Sequence, residues 1–183
     1  MRIISGSKRG MNLDTPEGLD TRPTSDRIKE TLFNMIGFDV PDCNFLDLFS
    51  GSGQMGIEAL SRGANKAVFV EKDKKALTCI SNNLKKGKFL DNAVVYSEDV
   101  FSALNKLNKN EVFDIVFMDP PYNKLIEKQV LTALIDKSFI NEDTIIIVEA
   151  SLETEFDYVS EIGYEITKEK IYKTNKHLFL KKA

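Results

Sequence analysis

The segment Asp119-Pro120-Pro121-Tyr122 combines hydrogen-bond acceptors with a stiff backbone. An amino group on an aromatic ring is a poor nucleophile because its lone pair is delocalised into the ring. The Asp119 carboxylate and the Pro120 carbonyl oxygen could accept its two N–H groups and expose that lone pair to a methyl sulfonium. Two prolines fix both acceptors in advance, and Tyr122 could stack on a base swung out of its helix. The alternative is a rigid turn with a half-buried tyrosine.

A glycine-rich segment, Gly51-Ser52-Gly53-Gln54-Met55-Gly56, follows an apolar run and precedes a helical pattern. Small residues let a ligand approach the backbone, and the N-terminus of a helix offers N–H donors. Glu71 comes twenty residues after Gly51, where its carboxylate can accept hydrogen bonds from both hydroxyls of a ribose. These features fit NAD as well as S-adenosylmethionine, and the motif alone also fits a tight turn without ligand.

Two further acids favour S-adenosylmethionine over NAD. Asp47 stands four residues before Gly51, where it would face a pyrophosphate badly but suits the cationic methionine end of S-adenosylmethionine. Asp99 follows the third predicted strand, so it could accept a hydrogen bond from an adenine N6 amine, cap the next helix, or do both. The predicted cofactor site comprises Asp47, Phe49, Gly51, Gly53, Glu71, Lys72, Asp99, Val100 and Asp119.

Apolar strands and helical patterns alternate from Asn44 onward and must position these residues. Strands are predicted over 45–49, 67–70, 93–96, 113–118 and 144–148, and helices over 74–84, 100–107 and 125–135. This alternation predicts an α/β fold with a mainly parallel sheet and helices on both faces. Two last strands, 164–171 and 176–180, have little between them and predict an antiparallel hairpin at the edge.

The first 41 residues are predicted to form an extension to a main domain spanning residues 42–183. Two short apolar runs around Gly6 and Gly10 predict a hairpin. A helix capped by Thr24 or Ser25 follows. Its predicted buried stripe consists of Ile28, Leu32 and Ile36.

The charges are unevenly spread over the 183 residues. The net charge of −3 argues against a generic nucleic-acid coat. Yet residues 142–167 hold eight acids and no base, whereas the last sixteen residues hold six lysines and one acid. A local basic face on an acidic body is compatible with binding of a polyanion, and solvated lysines that maintain solubility are the alternative.

Cysteine and histidine are scarce in the chain. Two cysteines without a CxxC pair, and no secretion signal at the N-terminus, predict a reduced, cytoplasmic protein. The chain has one histidine, His177, which is too few for a typical histidine-containing zinc site and leaves a single candidate for a Ser-His-Asp triad. No metal is therefore predicted. His177 is expected at the surface of an edge strand.

The motifs together resemble the RsmD family over nearly the whole chain. Asp47–Gly53, Glu71, Asp99 and Asp119–Tyr122 match amino-methylating class I methyltransferases that use S-adenosylmethionine. The stretches more specific to the family are Lys8-Arg9-Gly10, Thr15-Pro16, Arg22-Pro23-Thr24-Ser25-Asp26-Arg27, Glu30-Thr31-Leu32-Phe33-Asn34, and residues 56–64, GIEALSRGA.

The resemblance implies a bacterial enzyme that methylates guanine N2 in 16S ribosomal RNA, at guanine-966, on RNA or a small-subunit particle. It implies a Rossmann-like class I fold with seven strands, and action as a monomer. Asp119, Pro120, Pro121 and Tyr122 would be catalytic. The segment 22–24 would close over the cofactor and guide the RNA, and the implied RNA-binding residues are Lys8, Arg9, Arg22, Thr24 and Arg27.

Three alternatives stay open at this point. The same cofactor could serve methylation of adenine N6 in DNA or RNA, or of a glutamine amide. The glycine motif could belong to a nicotinamide-binding oxidoreductase, although no residue is an obvious hydride-handling acid or base. The chain could also be a structural factor in ribosome assembly.

Overall fold

The computed structural model describes residues 1–16, 25–122 and 124–183, so the predicted RNA-binding residues Arg22 and Thr24 lie outside the described part. The strands are β1 (Asn44–Asp47), β2 (Lys66–Val70), β3 (Ala93–Tyr96), β4 (Ile115–Met118), β5 (Ile145–Ser151), β6 (Tyr164–Ile171) and β7 (Asn175–Lys182). The helices are α1 (Asp26–Met35), α2 (Gln54–Ser61), α3 (Lys74–Gly87), α4 (Val100–Lys106) and α5 (Ile126–Leu134). A 3₁₀ turn covers Leu90–Asn92. None of the described helices has the length and apolar character that crossing a membrane would require.

One seven-stranded sheet organises the molecule, in the order β3-β2-β1-β4-β5-β7-β6. Strands β1 to β5 run parallel, and β7 runs antiparallel to both β5 and β6. The predicted Rossmann-like α/β fold with an antiparallel hairpin at its edge is therefore confirmed. The order reverses between β1 and β4, and in such sheets ligands bind in the crevice at the carboxyl ends of those strands.

The burial of each strand follows its place in the sheet. Strand β4, with helices on both faces, is buried along its whole length and is apolar throughout. Strand β6 is exposed at every residue after Tyr164 and alternates acids, lysines and isoleucines. Charged residues on an exposed edge oppose pairing with another chain.

A buried carboxylate, Glu58 of α2, ties the N-terminal segment to the main sheet. Its two oxygens accept hydrogen bonds from the backbone N–H groups of Ile4 at 2.8 Å and Ser5 at 3.0 Å. Ion pairs join it to Arg62 at 2.8 Å and to Lys29 at 3.5 Å. Glu58 and Lys29 are both fully buried. Glu58 therefore links the short N-terminal hairpin, α1 and α2, while the 1–41 boundary stays a prediction.

Leu32 and Ile36 of the predicted buried stripe are buried, and Ile36 follows helix α1 directly. Ser25 caps the helix by accepting a hydrogen bond from the N–H of Ile28 at 3.3 Å, as one of the two predicted caps. Within the helix, Lys29, Leu32 and Phe33 are buried, whereas Ile28 is only partly buried. The predicted stripe is therefore confirmed at Leu32 and Ile36 and wrong at Ile28, and it did not include Lys29, which is buried as the partner of Glu58.

We predict that Gly6→Ala destabilises the protein far more than Gly10→Ala. Both glycines have a positive φ, +82° and +84°, so both substitutions carry a backbone cost of about 1–2 kcal/mol. A Cβ on Gly6 would lie 1.7 Å from the carbonyl oxygen of Ser61, whereas one on Gly10 meets no atom within 4 Å. In urea denaturation, Gly6→Ala should lower the free energy of unfolding by at least about 2 kcal/mol more than Gly10→Ala does. Equal losses would contradict this packing of the hairpin.

Candidate functional site

The glycine-rich loop joins β1 to α2 and leaves an open side at Gly51. Gly51 and Gly53 both have positive φ values, 53° and 79°, which glycine adopts without strain. A Cβ on Gly53 would press on Ile80, Ile57 and Phe69, but one on Gly51 would meet no atom within 4 Å. The loop therefore packs on the core through Gly53 and exposes backbone at Gly51, where a ligand can approach.

Glu71 fixes the position of this loop against the end of β2. One carboxylate oxygen accepts the Gly51 N–H at 2.8 Å, and the other accepts the N–H groups of Lys72 at 2.7 Å and Asp73 at 2.8 Å. Each carboxylate oxygen has two lone pairs, so the oxygen bound to Gly51 can still accept a hydroxyl. This geometry is compatible with the predicted contact to a ribose.

Asp47, at the end of β1, is a buried acid with an incomplete set of partners. It is 1% exposed, and its Oδ2 accepts a long hydrogen bond from the Gly56 N–H at 3.4 Å. Its Oδ1 is buried and has no partner among the described residues. Burial, and secondarily the nearby Glu71 carboxylate, raises the pKa of Asp47 to about 7. An unsatisfied buried acceptor is costly, so a ligand with a cationic or N–H group would be stabilised here.

Asp99 caps helix α4. Its Oδ1 accepts the N–H groups of Phe101 at 3.0 Å and Ser102 at 3.1 Å, and Oδ2 accepts the Ser102 hydroxyl. The hydrogen bonds from Ser102 lower the pKa of Asp99, so the side chain stays ionised. The capping alternative is confirmed, while the contact to an adenine amine stays a prediction that the exposed position of Asp99 allows.

The Asp119-Pro120-Pro121-Tyr122 segment begins directly after β4, on the strand next to β1. Asp119 is partly exposed, Pro120 is buried, and Tyr122 is 40% exposed. Burial raises the pKa of Asp119 well above its ordinary range, and the carboxylates of Glu149 and Asp47 raise it further. Two interacting acids with raised pKa values in one crevice are typical of functional sites.

Glu149 of β5 forms a buried cluster behind this segment that the sequence did not reveal. Its carboxylate accepts hydrogen bonds from Asn175 at 2.6 Å and from the Tyr122 hydroxyl at 3.4 Å, and contacts His177 Nε2 at 3.0 Å. The other ring nitrogen of His177 lies 3.2 Å from the Tyr172 hydroxyl. His177 is fully buried, so the expected surface position was wrong. Its strand β7 lies between β5 and β6 and is not the edge.

The remaining predicted site residues fall into two groups. Phe49 and Lys72 follow β1 and β2, and Val100 follows β3, so all three lie at the carboxyl edge with Asp47 and Asp119. Lys8 and Arg9 instead lie near Ser61, whose Oγ accepts the Lys8 N–H at 3.0 Å. Ser61 ends α2, which extends about 12 Å from the glycine loop. The described structure therefore does not bring Lys8 and Arg9 to the crevice.

Potential metal ligands are not grouped in the part of the chain that the structure describes. Within it, no set of three or more His, Cys, Asp or Glu residues could hold a metal ion.

Comparison with known proteins places this architecture among methyltransferases. The family model described as conserved hypothetical protein 95 matches residues 1–181. YlbH of Bacillus subtilis, a candidate rRNA methyltransferase, is 44% identical over 156 residues, which are 85% of each chain. Ribosomal RNA small subunit methyltransferase D of Escherichia coli is 37% identical over 153 residues, 84% of this chain and 76% of that one. The structure of yhhF, a candidate methyltransferase from Escherichia coli, superposes with a TM-score of 0.87 at 34% identity, covering 100% of this chain and 97% of that one.

We predict that Asp47→Asn alters how stability depends on pH. The pKa of Asp47 rises from 3.8 to about 7 on folding, so between these values the folded state retains a proton that the unfolded state has lost. This group's contribution to the free energy of unfolding therefore falls as pH rises, by about 1.4 kcal/mol per unit and about 4 kcal/mol in all. The Asp47→Asn variant lacks this loss.

Urea denaturation of both proteins at intervals from pH 4 to pH 8 tests the prediction. The stability of Asp47→Asn relative to the unaltered protein should rise from pH 4 to about pH 7 and level off above it. Asp143→Asn, which changes an exposed acid at the opposite edge, is the control and should give a flat difference. A flat difference for Asp47→Asn as well would show that Asp47 is ionised throughout.

Proposed function

The chain belongs to the RsmD family, the family of the conserved hypothetical protein 95 model, and from that membership we propose that it methylates the N2 amine of a guanine in 16S ribosomal RNA. The relatives named as rRNA methyltransferases support ribosomal RNA as the substrate class. The family resemblance supports guanine-966 as the position. The observation that carries the proposal is the placement of Asp47 and Asp119 at the carboxyl ends of the paired strands β1 and β4, where the Asp47 carboxylate helps to raise the pKa of Asp119.

S-adenosylmethionine is the proposed cofactor, and the crevice residues fit it. The unsatisfied Oδ1 of Asp47 matches a ligand with a cationic amine, and the open backbone at Gly51 allows close approach. Glu71 and Asp99 would accept hydrogen bonds from the ribose and from the adenine amine, and Phe49, Gly53, Lys72 and Val100 would line the same pocket. When bound, the cofactor supplies a methyl group activated by a positive sulfur.

Asp119 and Pro120 would activate the substrate amine. Their oxygens accept its two N–H groups, which draws the nitrogen away from planarity and frees its lone pair. The raised pKa of Asp119 makes it a stronger base than an ordinary carboxylate, so it suits removal of the proton that methylation releases. Pro121 stiffens the loop, and Tyr122 would stack on the guanine.

Neither cysteine is suited to covalent catalysis. Both are buried, and burial raises the pKa of Cys43 to about 12, so the reactive thiolate form is scarce. Direct transfer of the methyl group to the amine therefore fits the residues better than transfer through a cysteine.

The substrate contacts and cellular setting are part of the same proposal. The N-terminal extension, residues 1–41, would cover the cofactor and guide RNA, with Lys8, Arg9, Arg22, Thr24 and Arg27 binding the RNA. The protein would act as a monomer in the cytoplasm, on 16S rRNA or a small-subunit particle.

We predict that Asp119→Ala lowers the turnover number by at least about 10³-fold while the affinity for S-adenosylhomocysteine stays within about threefold. The substitution removes an acceptor of the substrate amine but leaves the glycine loop and Glu71 in place. Transfer of labelled methyl groups to small ribosomal subunits from a strain lacking the enzyme measures turnover, and calorimetry measures affinity. Asp143→Ala, at the opposite edge, is the matched control and should retain both.

Mass spectrometry of the digested product RNA identifies the methylated atom. N2-methylguanosine is the expected product. N6-methyladenosine, or label in ribosomal protein, would reject guanine N2 as the acceptor. Turnover retained by Asp119→Ala would reject the role of Asp119.

A further inference from the structure

A cleft separates the first turns of α1 from the end of the β6–β7 hairpin. It has a volume of about 500 Å³. Arg27, Ile28 and Thr31 line one wall, and Lys170, Tyr172 and Lys173 line the other. The remaining lining residues are Ser25, Ile171 and Thr174. We call this feature the α1–β6 cleft.

The lining of the cleft is cationic although the protein as a whole is acidic. Arg27, Lys170 and Lys173 are exposed and form no ion pair with another described residue, and the described residues that line the cleft include no acid. The nearest acids along the chain are engaged elsewhere, since Asp26 pairs with Arg2 and Glu169 with Lys176. Three unpaired cations in a concave surface attract a polyanion, whose binding releases counterions.

The polar neighbours of these cations suit phosphate and sugar oxygens. Ser25 accepts a hydrogen bond from the Ile28 N–H, which leaves its own hydroxyl hydrogen free to donate. Thr174 adds a second exposed hydroxyl. Hydroxyls beside arginine and lysine are the usual donors to a nucleic-acid backbone. The ring of Tyr172 and the 62% exposed Ile171 offer apolar surface to a sugar or an unstacked base.

The cleft is joined to the candidate active site by side-chain contacts. Tyr172 lies in the cleft wall, and its hydroxyl is 3.2 Å from Nδ1 of His177. The two rings also pack edge to face, with their centroids 5.0 Å apart. His177 contacts Glu149, which accepts a hydrogen bond from Tyr122. Three contacts thus lead from the cleft to the Asp119 segment, so the two are near enough for one RNA strand to reach both.

We propose that the α1–β6 cleft binds the sugar–phosphate backbone of the RNA strand next to the methylated base. The inference rests on the proposed function for its choice of RNA, and it adds Lys170 and Lys173 to the substrate contacts. Lys170 precedes the end of β6 and Lys173 follows it, and both side chains are exposed, so their substitution leaves the core intact.

The double substitution Lys170→Glu/Lys173→Glu tests the cleft. Its control is Lys109→Glu/Lys137→Glu, which changes the net charge equally at the amino edge of the sheet. Fluorescence anisotropy with a labelled single-stranded RNA of mixed sequence gives the dissociation constant at several salt concentrations. Calorimetry with S-adenosylhomocysteine and circular dichroism verify that each variant is folded.

The cleft variant should bind RNA at least about tenfold more weakly. Affinity decreases with salt, and the magnitude of the slope of log affinity against log salt should be smaller in the variant by about 1.4. Each of the two phosphates that the lysines no longer neutralise accounts for about 0.7 of that slope. The control should keep its affinity within about threefold and its slope unchanged. The KM for small ribosomal subunits should rise in the cleft variant more than kcat falls. Lys170→Gln/Lys173→Gln should show a weaker effect in the same direction.

Equal weakening in the cleft and control variants would overturn the proposal, as would unchanged binding in both. Tighter binding of a duplex DNA of equal length would overturn the choice of RNA. Weaker RNA binding in the cleft variant alone, in a protein that transfers no methyl group to ribosomal subunits, would support the cleft and reject the proposed function.

Discussion

The parallel pairing of β1 with β4 is the constraint on which the candidate site depends. In this register Asp47 lies opposite Phe117, two residues before Asp119. Two acids that are far apart in sequence therefore end on adjacent strands, at the point where the sheet reverses its order. Both strands are buried, so a slip by one residue would move apolar side chains between the two faces. Packing of the core thus fixes the relative position of the glycine loop and the Asp119 segment.

The three acids at this edge are stabilised to different extents. Glu149 is surrounded by hydrogen-bonding side chains from β7 and by Tyr122. Asp47 has an oxygen with no partner in the described structure, and Asp119 keeps partial exposure with a raised pKa. A fold optimised only for stability would satisfy or remove Asp47. This contrast fits the proposed roles, in which Asp47 and Asp119 contact ligands and Glu149 supports the Asp119 segment.

The sequence was informative wherever a local pattern determined the structure. Alternating strand and helix patterns predicted the sheet, and the position of Asp99 after a strand predicted its role as a cap. The buried Lys29 and His177 were not predictable in this way. Lys29 is buried because Glu58 comes from another helix, and His177 because β7 pairs with β5, so that Glu149 lies opposite it. Such contacts depend on tertiary pairing, for which one sequence carries no periodic signal.

Glu58 has a consequence for how the molecule opens. One carboxylate accepts the amides of Ile4 and Ser5 and pairs with Lys29 and Arg62, so the loss of any one of these contacts weakens the support of the others. The amino-terminal hairpin and α1 therefore form a single cooperative unit in local unfolding, and their backbone amides should exchange hydrogen with solvent at a common rate. Opening of this unit as a whole, rather than independent fraying of the chain end, would set how often these amides meet solvent.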